Sequence, residues 1–348
     1  MGRRSAGSLW ASLTWPDEEM DRLVRPDLHS DAIVIDGLNI SRWCEDTFRQ
    51  LSQGGVTAIN ATIAVHQGFR ETVTAISRWH GLFERHTPLI DPVRSVDDVH
   101  RAKREGKVGI IFGFQSTDPI EKDLRLLSVF WTLGVRIIQL TYNERNYIGD
   151  GCLERTDCGL SHFGLAVIEE MNRLGILVDL SHVGYRTTME AIEASQLPVS
   201  FTHANPRALC DHPRNKTDEQ IRAVAGRGGV IGATAFPLFL SAGSEATIED
   251  LVDVVDYLVQ LVGVDHVGIG SDFTYAQTKE WFSWLLAGKG KRGQMMGLGW
   301  PVVYPQGVRS AAEFPNVTRA LLARGYSSAA TRKILGGNFL RLFETVWC

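Results

Sequence analysis

Short apolar runs rich in Val and Ile recur along the chain, and each is followed by a segment whose apolar residues fall at helical spacing. Eight such runs occur, at residues 32–36 (AIVID), 56–65 (VTAINATIAV), 108–114 (VGIIFGF), 135–142 (VRIIQLTY), 176–182 (ILVDLSH), 198–203 (PVSFTH), 229–236 (GVIGATAF) and 266–273 (HVGIGSDF). Between them lie helix-like stretches such as RETVTAISRWHGLFERH and TIEDLVDVVDYLVQLVG, several of which close on Gly, the usual residue just past a helix C-terminus. The runs are apolar throughout instead of alternating, so both faces of the sheet they form must be covered. Eight strand-helix alternations of this kind predict an α/β protein with the (β/α)8 TIM barrel architecture. A doubly wound open sheet would carry a glycine-rich phosphate turn after its first strand, and DGLNIS is not one.

The same pattern divides the chain into an N-terminal extension, residues 1–30, and a single barrel domain, residues 31–348. Residues 274–314, long, aromatic and Gly-rich after the eighth run, read as an insertion that forms a lid or a subunit contact. A barrel places its chemistry at the C-terminal ends of its strands. Those ends carry Asn39, His66, Gln115, Tyr142 with Asn143, His182, His203, Phe236 and Asp272. A single polar residue at a strand end is commonly no more than the place where water begins. Two histidines from consecutive strands, His182 and His203, together with Asp272 at the eighth, point instead to metal ligation. Asp272 suits either a ligand or a proton acceptor.

Composition narrows the partners. The formal net charge of −4 argues against a polyanion partner, since phosphate binding needs clustered Lys and Arg, so no nucleic acid is expected and the partner is a small molecule. No apolar run reaches the roughly 20 residues of a membrane span. The N-terminus has basic residues but no continuous apolar segment, so no membrane association and a cytoplasmic location are expected. The five cysteines are scattered, odd in number and without C-x-x-C pairing, which suits reduced thiols.

The segments VDLSHVG, FTHANPRAL, HPRNKTDEQIRAVAGRGGVIGAT, VGIGSDF and RKILGGNFLRLFE resemble the membrane (renal) dipeptidase family of the amidohydrolase superfamily, from about Ile33 to the C-terminus. The resemblance implies an amidohydrolase-like barrel that hydrolyses dipeptides with zinc. It implies that His182 and His203 are the two histidine ligands of one metal, that Asp272 is the strand-eight aspartate that contacts metal and handles protons, and that Arg214 grips the substrate carboxylate. A planar fork suits that last task better than a lysine. The chain also departs from the family: its His-x-Asp at strand one is Leu38-x-Ile40 here, its bridging glutamate falls on Phe112 with Gln115 beyond, and its strand-four histidine is Tyr142. The expectation is therefore a dipeptidase-like metallohydrolase with a reduced site, one Zn ion or a similar divalent metal on His182, His203 and Asp272. Tyr142 or Asn143 would hold the developing oxyanion in place of the missing histidine. His66 reads equally as an acid/base group and as a packing histidine, and with Gln115 it joins the candidate substrate contacts. A homodimer is plausible by the same resemblance. Two alternatives stay open: a lyase, decarboxylase or isomerase built on the same barrel, and a non-catalytic small-molecule binder.

Overall fold

The structure is a computed structural model and describes residues 27–287 and 300–347. Residues 1–26, most of the N-terminal extension, and residues 288–299 of the insertion lie outside the described residues. Among the described residues there are nine parallel strands, β1 (Ile35–Asn39), β2 (Ala58–Ala64), β3 (Ile90–Val93), β4 (Val108–Phe114), β5 (Val135–Gln139), β6 (Leu177–Asp179), β7 (Ser200–Phe201), β8 (Val230–Ala233) and β9 (Val267–Ile269). Their order is β2-β1-β9-β8-β7-β6-β5-β4-β3, and pairing of β2 with β4 closes eight of them into a barrel. The eight predicted runs supply those eight strands. The ninth, β3, reads IDPV in sequence and pairs with Val108–Ile111, the first half of β4, before β5 takes over that edge.

Helices ring the barrel: α1 (Glu45–Gln53), α2 (Phe69–Arg85), α3 (Val96–Glu105), α4 (Arg125–Thr132), α5 (His162–Leu174), α6 (Tyr185–Ala194), α7 (Asp218–Gly226) and α8 (Ile248–Val262). Their ends follow local chemistry. Thr217 caps α7, accepting from the Gln220 amide while the Gln220 side chain accepts from the Thr217 N–H. Gly175 closes α5 in the left-handed region at φ 69°, a conformation that costs a residue with a Cβ.

Two apolar layers hold this arrangement. The larger lies between sheet and helices, and includes Val34, Ile59, Ala61, Ile110, Phe112, Ile138, Val178, Ile231 and Ile269. The smaller fills the barrel interior from its N-terminal end, with Ile35, Ala58, Ile111, Ile137, Leu177 and Val230 packed on Phe339, Leu342 and Phe343 of the last helix. Phe339 is fully buried, so deleting its ring would cost about 3–5 kcal/mol. The resembling C-terminal segment is thus a plug that keeps water out of the barrel from below.

Register slips decide what faces the mouth. On β1, Ile35 lies opposite Ala58 and Asn39 opposite Ala61, so four steps on one strand match three on its neighbour. Asp36 and Asn39 therefore share the outer face, where Asn39 Nδ2 donates to Asp36 at 3.1 Å, and Leu38 and Ile40 turn inward. On β4, Phe112 faces outward, packing on Trp79 at 5.7 Å and Phe83 at 6.0 Å, both on α2. This corrects the sequence reading, which put Phe112 at the pocket position of a metal-bridging glutamate. The inward residue is Gly113, where a Cβ would stand 2.0 Å from Asn60 Oδ1.

Candidate functional site

The strand ends of β6 and β7 deliver two imidazoles to one point. His182 Nε2 lies 3.1 Å from His203 Nε2, and both side chains are buried. The outer nitrogens are already committed. His182 Nδ1 is 2.7 Å from Asn143 Oδ1, an amide oxygen that can only accept, so the proton sits on Nδ1. His203 Nδ1 is 2.8 Å from Thr202 Oγ1, whose own proton goes to Asp179 Oδ2 at 2.7 Å. Asp179 is fixed in turn by the Ser181 hydroxyl and by the amides of Ser181 and Thr202. This relay makes His203 Nδ1 a donor as well. Both Nε2 lone pairs then point at the same place. With Zn–N near 2.0–2.1 Å, two ligands of one tetrahedral ion stand about 3.3–3.4 Å apart, close to the spacing here. Burial pushes both imidazoles well below the usual histidine range, and Arg214 adds to the effect, so they stay neutral as ligation requires.

Asp272 faces the same mouth from the end of β9. It adopts φ 56°, an uncommon conformation for a non-glycine residue, held by its amide on Leu38 O at 3.0 Å and its carbonyl on the Tyr304 hydroxyl at 2.6 Å. Its carboxylate takes no hydrogen bond among the described residues, and burial raises it to about 7, against an opposing pull from Arg214 and with a small push from Asp36. Among the described residues no group of three or more His, Cys, Asp and Glu side chains lies close enough together to hold an ion. The two histidines meet; Asp272 stands apart from them.

Tyr142 stacks on His182 at 4.3 Å between ring centroids, and His66 meets the edge of Tyr142 at 5.3 Å. Burial raises the Tyr142 hydroxyl well above the usual phenol range, so it remains a donor. Gln115 is buried one step inside, donating to Thr62 Oγ1 at 3.0 Å. Arg214 is fully buried. Its Nη2 donates to His203 O at 2.6 Å, while Nε and Nη1 have no partner. A buried guanidinium with orphaned N–H groups is costly unless an anion completes it. Leu38 is a buried apolar group near the end of β1, and Ile40 packs with Val65, Tyr142 and Leu285 of α9 (Lys279–Ala287).

Some members of this site are hard to find by sequence reasoning. Asp179 and Thr202 act only through His203; the Ser-His and Thr-His pairs in VDLSH and FTH are their one visible sign. Lys216, buried and bonded to Val183 O at 2.7 Å, stands beside them with its amine lowered by burial to about 7. Cys152 places its thiol 3.5 Å from Asn143 Oδ1.

The membrane dipeptidase family, peptidase family M19, matches residues 27–281. The chain belongs to this family. Among the peptidase M19 relatives, dipeptidase tcpJ of Claviceps purpurea (strain 20.1) is 30% identical over 284 residues, 81% of this chain and 61% of that relative, so this chain spans about three-fifths of its length. The crystal structure of an amidohydrolase from Pseudomonas aeruginosa is 42% identical, with a TM-score of 0.90 over 92% of this chain and 98% of that one. A metallo peptidase from Rhodobacter sphaeroides, liganded with a phosphinate mimic of the dipeptide L-Ala-D-Ala, has the same fold, with a TM-score of 0.78 at 21% identity over 91% of this chain and 100% of that one. No helix among the described residues is long and apolar enough to cross a membrane.

Proposed function

We propose that this member of the dipeptidase family hydrolyses the amide bond of a dipeptide or similar small amino-acid derivative with a free carboxylate, using one divalent metal ion, zinc by its donor set. The observation that carries the reading is the convergence of His182 Nε2 and His203 Nε2 at 3.1 Å with both Nδ1 atoms committed elsewhere. His182 and His203 would hold the ion, while Asp272, which stands apart from them, faces the same mouth as a proton-handling carboxylate. When bound, the ion supplies Lewis-acid polarisation and an acidified water.

The chain's own residues do the rest. Arg214 brings unpartnered Nε and Nη1 donors to bear on the substrate carboxylate, and its bond to His203 O fixes the fork beside the histidines. Asp272, a buried carboxylate without hydrogen bonds, takes and returns a proton at its oxygens. Tyr142, held against His182, donates its hydroxyl toward the developing charge on the scissile carbonyl. The apolar Leu38 and Ile40 and the bare Gly113 leave no ligands for a second ion at those strand ends.

The deciding experiment measures bound metal in protein purified without chelator, alongside hydrolysis of a panel of L,L and L,D dipeptides. About one ion per chain with metal-dependent hydrolysis supports the reading. Bound metal without hydrolysis of any dipeptide would favour a repurposed reaction on a small carboxylate, for which the inward Leu38 and Ile40 are the specific hint.

A further inference from the structure

The direction of a side chain is set at its Cα, by the two peptide planes that meet there. At Asp272 both planes are fastened. The plane before it is held by the Asp272 N–H, which donates to Leu38 O at 3.0 Å. The plane after it is held at both edges, the Phe273 N–H donating to Ser271 Oγ at 3.2 Å and the Asp272 carbonyl accepting from the Tyr304 hydroxyl at 2.6 Å. The result is φ 56°, a left-handed conformation that a residue with a Cβ keeps only where its surroundings over-determine it.

These ties have different origins. Leu38 and Ser271 belong to the barrel, and Ser271 is itself held by Asp36, through its amide at 2.7 Å and its hydroxyl at 2.6 Å. Tyr304 belongs to the insertion, 32 residues further along the chain. Its stretch of backbone is anchored: the Gln306 carbonyl accepts from the Ile248 amide at 2.8 Å and the Gln306 amide donates to Ala246 O at 2.9 Å, which stitches the insertion to the start of α8. The Tyr304 ring is buried against Phe273 at 4.9 Å and Phe236 at 6.0 Å between centroids, and Thr274 Oγ1 lies 3.0 Å from its hydroxyl. The Asp272 carbonyl can only accept, so the phenol proton goes there and the Thr274 hydroxyl donates to the phenol oxygen. A rigid ring on an anchored segment, carrying one directed donor, is suited to fixing a backbone carbonyl.

We propose, resting on the dipeptidase reading in which Asp272 handles the proton, that Tyr304 is a positioning residue for that carboxylate. Its hydroxyl locks the Asp272–Phe273 peptide and so aims the Asp272 side chain at the mouth. The insertion then acts on the reaction through Asp272.

Tyr304→Phe removes the donor and keeps the ring. In the metal-loaded full chain, kcat on the best-hydrolysed dipeptide of the L,L and L,D panel should fall about 10–100-fold, the scale for an ångström-sized misplacement of a reacting group, while KM and bound metal stay within about twofold. Thr274→Val, which takes away the other partner of the same hydroxyl, should leave kcat within about twofold. Crystal structures of the wild type and of Tyr304→Phe read the geometry directly, and Asp272 should leave the positive-φ region in the variant. An unchanged kcat, a loss of metal or a rise in KM that accounts for the whole drop, an equal drop in Thr274→Val, or an Asp272 that keeps its conformation in Tyr304→Phe would each overturn the role. Turnover of no dipeptide by the wild type would overturn the peptidase reading alone; Asp272 turning in the variant would still uphold the tie to Tyr304, and its staying in place would overturn that tie.

Discussion

His182 Nε2 and His203 Nε2 stand 3.1 Å apart, each ring turned by a different partner so that both lone pairs meet. Facing lone pairs repel, and a cation placed between them relieves that repulsion.

His182→Ala and His203→Ala should each abolish stoichiometric metal binding, because either change removes half of this edge. Thr202→Val tests the geometry more finely. It keeps the volume but cuts the relay from Asp179 to His203 Nδ1, and should weaken metal affinity by about 10–100-fold without abolishing it. Metal content by mass spectrometry after dialysis against graded chelator reads both, and full retention in the two alanine variants would remove the assignment.

Arg214→Lys keeps a charge but loses the planar fork. Carboxylate-bearing ligands should bind more weakly by about 1.5–3 kcal/mol, since Nε and Nη1 have no lysine equivalent. Titration with a dipeptide and its C-terminal amide separates this from a general loss. The amide should be nearly indifferent to the change, and equal losses on both ligands would take Arg214 out of carboxylate recognition.

Asp36 gives a pH dependence that belongs to the fold. Its carboxyl is fully buried on the outer face of β1, and desolvation raises it from 3.8 to about 6 despite hydrogen bonds from Ser271, Asn39 and Leu38. A carboxyl raised on folding binds its proton more tightly in the native state. Its contribution to stability is present in full below the unfolded value and is lost as pH rises through about 6. Relative to Asp36→Asn, the wild type should lose on the order of 2–3 kcal/mol of unfolding free energy between pH 4 and pH 7.5. Parallel urea-unfolding curves at the two pH values check it, and a constant difference would mean that the carboxylate is fully compensated.

The barrel is legible in the chain because each of its eight strands is covered on both faces and so reads as an unbroken apolar run. His182 and His203 are legible for a related reason: a polar residue ending an apolar run marks the mouth. β3 is not legible, since four residues with Pro92 in the middle look like a turn; the proline sits harmlessly on a strand that flanks only half of β4. Phe112 is misleading because inward and outward positions alternate every residue, and a one-residue slip such as that between Asp36 and Asn39 exchanges them without any mark in the sequence. The partners that orient the histidines are scattered over Asn143, Asp179 and Thr202, and only the folded barrel brings them together.

That parity error makes a sharp prediction about rebuilding a second metal site. Leu38→His with Ile40→Asp places two ligands inward, where the β1 slip already aims those side chains. Adding Phe112→Glu should fail: it would push a carboxylate between Trp79 and Phe83 in the outer core, and the protein should lose several kcal/mol of stability and gain no metal. A glutamate at Gly113 would point to the inward face, but a Cβ there stands 2.0 Å from Asn60 Oδ1, so Asn60 must shrink at the same time. Removing that side chain frees an oxygen that has no hydrogen-bond partner and gives up only its Nδ2 bond to Gly37 O. The quadruple change Leu38→His, Ile40→Asp, Gly113→Glu and Asn60→Gly should therefore be destabilised as apoprotein, bind a second equivalent of zinc, and recover melting temperature as zinc is added. If the Phe112→Glu version binds the second ion and the Gly113→Glu version does not, the inward and outward faces of β4 are the reverse of those described.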